Sequence, residues 1–317
     1  MTTPAERARA ACLGALVADA ATMGFHWLYD QPRIAALAGD APEFRAPNAR
    51  DFKDDAGETL GYFAHAGKRP GDPSHYGAQM IAMADALAAS GRYEPLAYAE
   101  AFRAAFGYGG TWTGYIDRPT RQTLDAMAAA EAAETPITGC GADDEQLPAL
   151  SKLPPLVAAH HDDPDLLDKV ESAVRITNDR DDSAAWGRAA ALMIRAAIHG
   201  DDPAAAIEAA RGVAPEIDAQ IAEALALRAE TTEVVATKFA LHCHLDVAFP
   251  VMTHAIATAT SYREAVRANI RAGGDNCGRS ILIGAVLGAC FGGDGDAGVP
   301  AEWLAKLRVP GALLARF

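Results

Sequence analysis

RAGGDNCGRSILIGAVLGACFGG, residues Arg271–Gly293, is the stretch around which the chain is organised. Two glycines lead into Asp275 and Asn276, and an apolar run follows. Asp and Asn cap helices well, because their side-chain oxygens accept from backbone N–H groups that have no partner inside the helix. The polar pair is therefore expected at the mouth of a helix, where N–H groups and the helix dipole favour an anion or a polar ligand. Gly284 and Gly288 lie four residues apart and share a face. With Ala285 and Ala289 beside them, they let a second helix approach closely. The reading is a buried central helix whose open end presents Asp275 and Asn276. A well-capped loop without a ligand is the plainer alternative.

Outward from this stretch, the chain reads as helix after helix. Ala5–Met23 has apolar residues at helical spacing (Ala8, Cys12, Ala15, Leu16) and is expected to be buried on most sides. Gly24–Asp30 follows, with Trp27 and two further aromatics around His26. Such a corner either lines a pocket or simply packs. Ala38–Arg69 is the longest irregular stretch, holds Asp54, Asp55 and Glu58, and is of the length that is often functional. Asp72 and Pro73 read as an N-cap and first helical residue. The helix they open runs to about Ala89, with His75 and Tyr76 in its first turn. Helices are further expected over Glu94–Phe106, from Asp117 to about Ala133, over Pro164–Ile176, Ser183–His199, Asp201–Arg211, Pro215–Arg228, Thr231–Leu241 and Tyr262–Arg271, and over Glu302–Leu307. Leu147–His160 is helical with an uncertain start at Pro154 and Pro155, and Pro250 interrupts or opens another helix. Val234–Val235 and Val247–Phe249 are too short for strands. No repeat or low-complexity linker divides the chain. The expectation is an all-α fold in one domain, residues 1–317.

The chain has 317 residues, half of them apolar, and a formal net charge of −14. That balance argues against nucleic acid and anionic membrane surfaces, which need a basic face. The polar N-terminus does not read as a signal peptide, and no run of 18 apolar residues predicts a membrane span. Cys12, Cys140, Cys243, Cys277 and Cys290 are scattered and lack CxxC spacing, so a cytoplasmic protein is expected. GxxxxGK[ST], HExxH and GxSxG are missing, and no GxGxxG follows a strand. His160, His161, Asp162 and Asp163 read as a solvated helix end. His242 and His244, two apart in LHCHL, read as opposite faces of a helix in a core or interface. What remains is a set of polar helix mouths: His75 and Tyr76, Asn178 and Asp179, Asp275 and Asn276.

Those mouths carry a family resemblance. CLGALVADAATMG (Cys12–Gly24), HYGAQMIAMADAL (His75–Leu87), RITNDRDDSAAWGRAAA (Arg175–Ala191) and GGDNCGRSILIGAVLGA (Gly273–Ala289) resemble, in order, four motifs of the ADP-ribosylglycohydrolase family. The resemblance implies an all-α orthogonal helical bundle. In active members it also implies two Mg²⁺ ions, held by a Thr-Asp-Asp triplet and an Asp-x-Asp-[Ser/Thr] motif, that bind a ribose and activate water at the anomeric carbon. This chain departs there. His75, Tyr76 and Gly77 fall at or beside the triplet. Asp275 is kept, Cys277 and Gly278 replace the second Asp and the Thr, and Asn178 stands at the family's His. One carboxylate cannot hold two Mg²⁺ ions, and Asp54, Asp55 or Glu58 are the candidates for another.

The replacements are polar or reactive rather than apolar, which resembles the family's metal-poor, J1-crystallin-like branch. The expectation is a hydrolase acting on a glycosidic or related C–N bond of a small ribosyl- or nucleotide-like substrate. Asp275 would be base or sugar-orienting group and His75 the general acid or base. Tyr76, Asn178, Asn276, Cys277, His26 and Trp27 would line the site. No cofactor is expected beyond Mg²⁺ held weakly at Asp275. The alternative is a non-catalytic ligand-binding or crystallin-like structural protein.

Overall fold

The computed structural model describes residues 2–292 and 295–314; Gly293, the last residue of the stretch quoted above, and residues 315–317 lie outside them. The fold is built on two helices, α1 (Pro4–Thr22) and a partner from the far end of the chain. Thr3 caps α1 in a capping box: its hydroxyl accepts from Glu6 N–H, the Glu6 carboxylate accepts from Thr3 N–H, and Pro4 follows as the first helical residue. From Ala10 to Thr22 the helix is buried all round. By length and composition Pro4–Phe25 is apolar enough to cross a membrane, but 94% of its apolar 18-residue window is buried inside the fold, which is how a core helix reads.

The middle of the chain supplies α2 (Gln31–Ala38), α3 (His75–Ser90), α4 (Pro95–Phe106), α5 (Arg118–Ala132), α6 (Leu153–His160), α7 (Leu166–Arg175), α8 (Asp181–His199), α9 (Pro203–Glu208), α10 (Pro215–Ala226), α11 (Thr232–Phe239) and α12 (Leu245–Thr258). Then come α13 (Tyr262–Ala272), α14 (Asn276–Phe291), α15 (Ala301–Leu304) and α16 (Gly311–Leu314). Helix accounts for 63% of the residues. Among the described residues the only β-type pairing is four isolated bridges.

α14 lies against α1 along its length, with α8, α12 and α13 packed around it, and α3 and α6 against α1. The glycines set that crossing. A Cβ on Gly14 would meet the Gly284 carbonyl oxygen at 2.3 Å, and one on Gly288 would meet the Ala10 carbonyl oxygen at 2.4 Å. The helices touch backbone to backbone there, so any side chain would hold them apart. Tyr262 of α13 ties the pair by donating to the Gly14 carbonyl at 2.5 Å.

Three local readings are corrected by the structure. Helix α3 starts at His75, with Ser74 rather than Asp72 as its cap: the Ser74 hydroxyl accepts from Tyr76 N–H at 3.1 Å. Asp72 is engaged elsewhere, accepting from Arg69 N–H at 2.8 Å and pairing with Arg308 at 3.2 Å. Residues 240–244 are not helical, because Ala240 has φ of 86° and ends α11. His242 and His244 therefore do not project from opposite helix faces; their rings meet edge to face at 4.8 Å. Pro250 lies inside α12, which opens at Leu245.

Candidate functional site

Asp275 is the centre of the site. It caps α14, its Oδ1 accepting from Gly278 N–H at 3.0 Å. The same oxygen accepts from His26 Nε2 at 2.9 Å, and Oδ2 accepts from the Tyr76 hydroxyl at 2.6 Å. All three side chains are buried. Burial alone would raise the Asp275 pKa, but His26, Tyr76 and Gly278 N–H more than offset it and hold it at about 2. Burial pushes His26 the other way, below the usual imidazole range, against the pull of Asp275. The ionised carboxylate and the neutral ring agree: Asp275 accepts, and His26 donates through Nε2–H.

Loop pairing brings these groups together. Trp27 N–H donates to the Gly274 carbonyl at 2.8 Å, and Gly274 N–H to the Leu28 carbonyl at 2.8 Å. The exit of α1 is thus fastened to the entry of α14. Tyr62 N–H then donates to the Trp27 carbonyl at 2.9 Å, laying the long loop over both. Trp27 itself has φ of 62°, a left-handed conformation unusual for a bulky residue. Its ring stacks on His26 at 4.1 Å and meets Tyr115 edge-on at 5.0 Å, closing the site from above.

The long loop also supplies His65, which no motif in the sequence singles out. Its Nε2 lies 2.6 Å from His26 Nδ1, and both rings are buried. Since His26 donates through Nε2, its Nδ1 is the acceptor here and His65 donates. Burial, with His26 and His75 nearby, holds His65 well below the ordinary imidazole pKa. His65 Nδ1 has no partner.

Two more carboxylates stand beside this group. Asp19 of α1 is buried; its Oδ2 accepts from Ser74 N–H at 2.8 Å and its Oδ1 from the Ser74 hydroxyl. Burial raises its pKa to about 6, with Ser74 pulling it back. Gly77 makes room for it, since a Cβ there would meet Asp19 Oδ2 at 2.3 Å. Asp117 caps α5, accepting from Thr120 N–H at 2.8 Å. Its Oδ2 lies 3.0 Å from His75 Nε2, but out of line, so neither His75 ring nitrogen has a directed hydrogen bond. Burial opposes ionisation of Asp117, yet the adjacent His75 and the Thr120 donors leave its pKa lowered. The His75 ring lies 4.0 Å from that of Tyr76 and 5.9 Å from that of His26.

The structure therefore gathers His26, Trp27, His75, Tyr76 and Asp275, and joins to them His65, Asp19 and Asp117. Cys277 belongs to the same neighbourhood, buried with its sulfur 3.3 Å from the Thr22 hydroxyl. Asn276 is buried in the first turn of α14 with its amide unpartnered; its carbonyl accepts from Asn269 at 2.8 Å. Asn178 makes no hydrogen bond to these groups. Its amide donates to the Asp144 carbonyl at 3.2 Å, and its oxygen accepts from Thr177 at 2.7 Å. That is a second polar cluster, which also holds buried Lys152 on the Pro148 carbonyl at 2.7 Å. Asp54, Asp55 and Glu58 are exposed, with Asp54 accepting from Glu58 N–H at 2.7 Å in its own turn.

Mg²⁺ demands oxygen ligands in near-octahedral array. Here both oxygens of Asp275 and of Asp19 are engaged by the chain's own donors, Asp117 offers a single unpartnered oxygen, Oδ2, and the remaining groups beside Asp275 are imidazoles, a phenol and a thiol. This donor set does not fit a pair of Mg²⁺ ions.

A helical bundle closed on a central helix pair, with a buried Asp at the mouth of one of them, defines an ADP-ribosylglycohydrolase-type fold. The chain belongs to the ADP-ribosylglycohydrolase family, whose model matches residues 1–316. It is similar to Crystallin J1A of Tripedalia cystophora, 27% identical over 95% of this chain and 92% of that one. It is also similar to Crystallin J1B of the same organism, 24% identical over the same shares. Among solved structures it matches a chain titled ADP-ribosylglycohydrolase-related protein complex, with a TM-score of 0.73 and 20% identity, covering 100% of this chain and 97% of that one. That likeness shows the fold.

Proposed function

We propose that this chain is a non-hydrolytic, crystallin-like member of its family, in which an Asp275 carboxylate held by the chain's own donors stands where active members hold their metals. One observation carries the reading: the Asp275 carboxylate is buried and has both oxygens engaged by His26, Tyr76 and Gly278 N–H. A general base works best with a pKa near the operating pH, and a group held at about 2 is far from that. The likeness to two J1 crystallins supports the same direction. The main apolar core draws on residues from Ala8 to Trp303, which supports one domain throughout. Five unpaired cysteines support a reducing, cytoplasmic setting.

A second reading keeps the hydrolase, acting on a glycosidic or related C–N bond of a small ribosyl-like substrate without the metal pair. What favours it is His75, buried beside Asp117 with no directed partner, under a Trp27 held in a strained conformation. In that case Trp27 would move aside and His75 would carry the proton.

The test is release of ADP-ribose from ADP-ribosyl-arginine and ADP-ribosyl-serine peptides with and without Mg²⁺, beside calorimetric titration with Mg²⁺. The expected result is no turnover and no binding of two ions. Mg²⁺-dependent turnover would overturn the proposal. Turnover that survives EDTA and falls sharply in a folded His75→Ala variant would support the second reading.

A further inference from the structure

We propose that His26, His65 and Cys277 form a binding site for a single transition-metal ion of the Zn²⁺ class. The three donors come from distant parts of the chain: the exit of α1, the long loop and the first turn of α14. Their ligand atoms lie within 4.8 Å of one another, and all three side chains are buried. Two imidazoles and a thiolate are the soft set that selects Zn²⁺ or its neighbours over Mg²⁺. The inference goes beyond the functional reading above and holds whether or not the chain is hydrolytic.

The surroundings of His26 are arranged as a metal site requires. A ligating histidine ordinarily donates its other ring N–H to a carboxylate, which fixes its tautomer. His26 does so, Nε2 to Asp275 at 2.9 Å, which leaves the Nδ1 lone pair facing His65. The two imidazole nitrogens are 2.6 Å apart, closer than a relaxed N–H···N contact. Around a tetrahedral Zn²⁺ with bonds of 2.0–2.1 Å they would stand about 3.3 Å apart. Separation by less than an ångström therefore turns a crowded contact into a ligand pair.

A packing role alone explains less. Cys277 would then be a small core residue and the His26–His65 contact a core hydrogen bond. A core hydrogen bond would relax to a longer separation than the 2.6 Å between His26 Nδ1 and His65 Nε2. Metal entry balances simply. The Cys277 thiol proton leaves to solvent, His65 shifts its proton from Nε2 to Nδ1, and both rings ligate as neutral groups. The bound ion and thiolate carry a net charge of about +1, beside the Asp275 carboxylate.

A second group, His161, Asp162 and His199, is partly exposed on the surface and would also take up added metal. The experiment therefore uses the full-length chain carrying His199→Ala, in a non-thiol reductant, titrated with Co²⁺ as the probe. Because the site is buried, Co²⁺ is offered both to the native protein and during refolding. The expected result is one tightly held ion with tetrahedral visible bands and a near-ultraviolet thiolate-to-Co²⁺ charge-transfer band. Cys277→Ser should remove the charge-transfer band, and Cys243→Ser should leave it. His65→Gln should weaken binding by about 100-fold or more, with far-ultraviolet circular dichroism confirming that each variant is folded. Three results would overturn the proposal: no uptake by either route, a pale octahedral spectrum, or a sulfur band that persists in Cys277→Ser. The first two are read on the parent chain, so they stand even if a variant fails to fold.

Discussion

Replacing Asp275 by alanine separates a structural carboxylate from a catalytic one. The substitution removes the acceptor for His26 Nε2, Tyr76 hydroxyl and Gly278 N–H, all in a buried setting. It also removes a negative charge near buried Arg279, whose Nη1 already lacks a partner. Each buried donor left unsatisfied costs about 1–3 kcal/mol, and Asp275 is the acceptor for three of them. These losses overlap, so the expected destabilisation is about 4 kcal/mol, a large share of a typical stability of about 5–15 kcal/mol.

The pH dependence gives an independent figure for the same group. Asp275 is held at about 2 against an ordinary 3.8, worth about 2.5 kcal/mol. Its folded-state pKa is depressed. The contribution is therefore complete above about pH 4 and is lost as the pH falls towards 2. The assay is urea unfolding followed by far-ultraviolet circular dichroism, at pH 7 and through the acid range, for the parent, Asp275→Ala and Asp275→Asn. Asp275→Asn keeps the volume and should lose less than Asp275→Ala, and in both the acid limb should shrink by about 2.5 kcal/mol, with Asp117 and Glu43 leaving the remainder. A loss below about 1 kcal/mol in Asp275→Ala, or a gain, would refute the reasoning. It would mean that the carboxylate is held poised at a cost, as active-site groups are.

Asp19 should show the opposite pH behaviour, because burial raises it to about 6. Between about pH 4 and 6 the folded state holds the extra proton, so stability falls as pH rises through that window, and the cost is complete above 6. In chelator-treated protein the parent should lose up to about 3 kcal/mol relative to Asp19→Asn between pH 4 and 7; parallel stability curves would contradict this. At the helix crossing, a Cβ on Gly284 would meet the Gly14 carbonyl oxygen at 2.5 Å. Gly284→Ala should therefore destabilise by about 1–3 kcal/mol in urea, despite a gain of up to about 1 kcal/mol in helix propensity. A neutral or stabilised variant would show that the two helices separate easily.

What the sequence made legible was local chemistry with a local readout. The four-residue spacing of Gly284 and Gly288 pointed to a close helix partner, and Gly14 of α1 meets them. Asp275 before an apolar run read as a cap and is one. The cap of α3 was misplaced because Asp72 and Ser74 both suit the position. Its outcome was set by Arg69 and Arg308, at other places in the chain. The residues that escaped notice owe their role to tertiary approach. Asp19 sits among alanines and reads as one polar residue on a buried helix, until Ser74 is brought against it. His65 lies in a stretch whose length suggests function, but the carboxylates Asp54, Asp55 and Glu58 there are exposed, whereas His65 itself is buried. The motif position of Asn178 implies a place in the site, and its side chain hydrogen-bonds Asp144 and Thr177.

The replacements around Asp275 form a coupled set rather than separate losses. Three buried carboxylates share this part of the core, and a buried charge persists only where it is paired or fully hydrogen-bonded. In active relatives the resemblance assigns that task to two divalent ions. Here the donors are organic: Tyr76 and His26 for Asp275, Ser74 for Asp19, Thr120 for Asp117. His75 and Tyr76 stand at or beside the positions where the triplet would place carboxylates, so the same substitutions that remove metal ligands supply or flank donors for the carboxylate that remains. Random decay has no reason to couple the two. That pairing supports the proposed reading of a centre reorganised as a unit around Asp275.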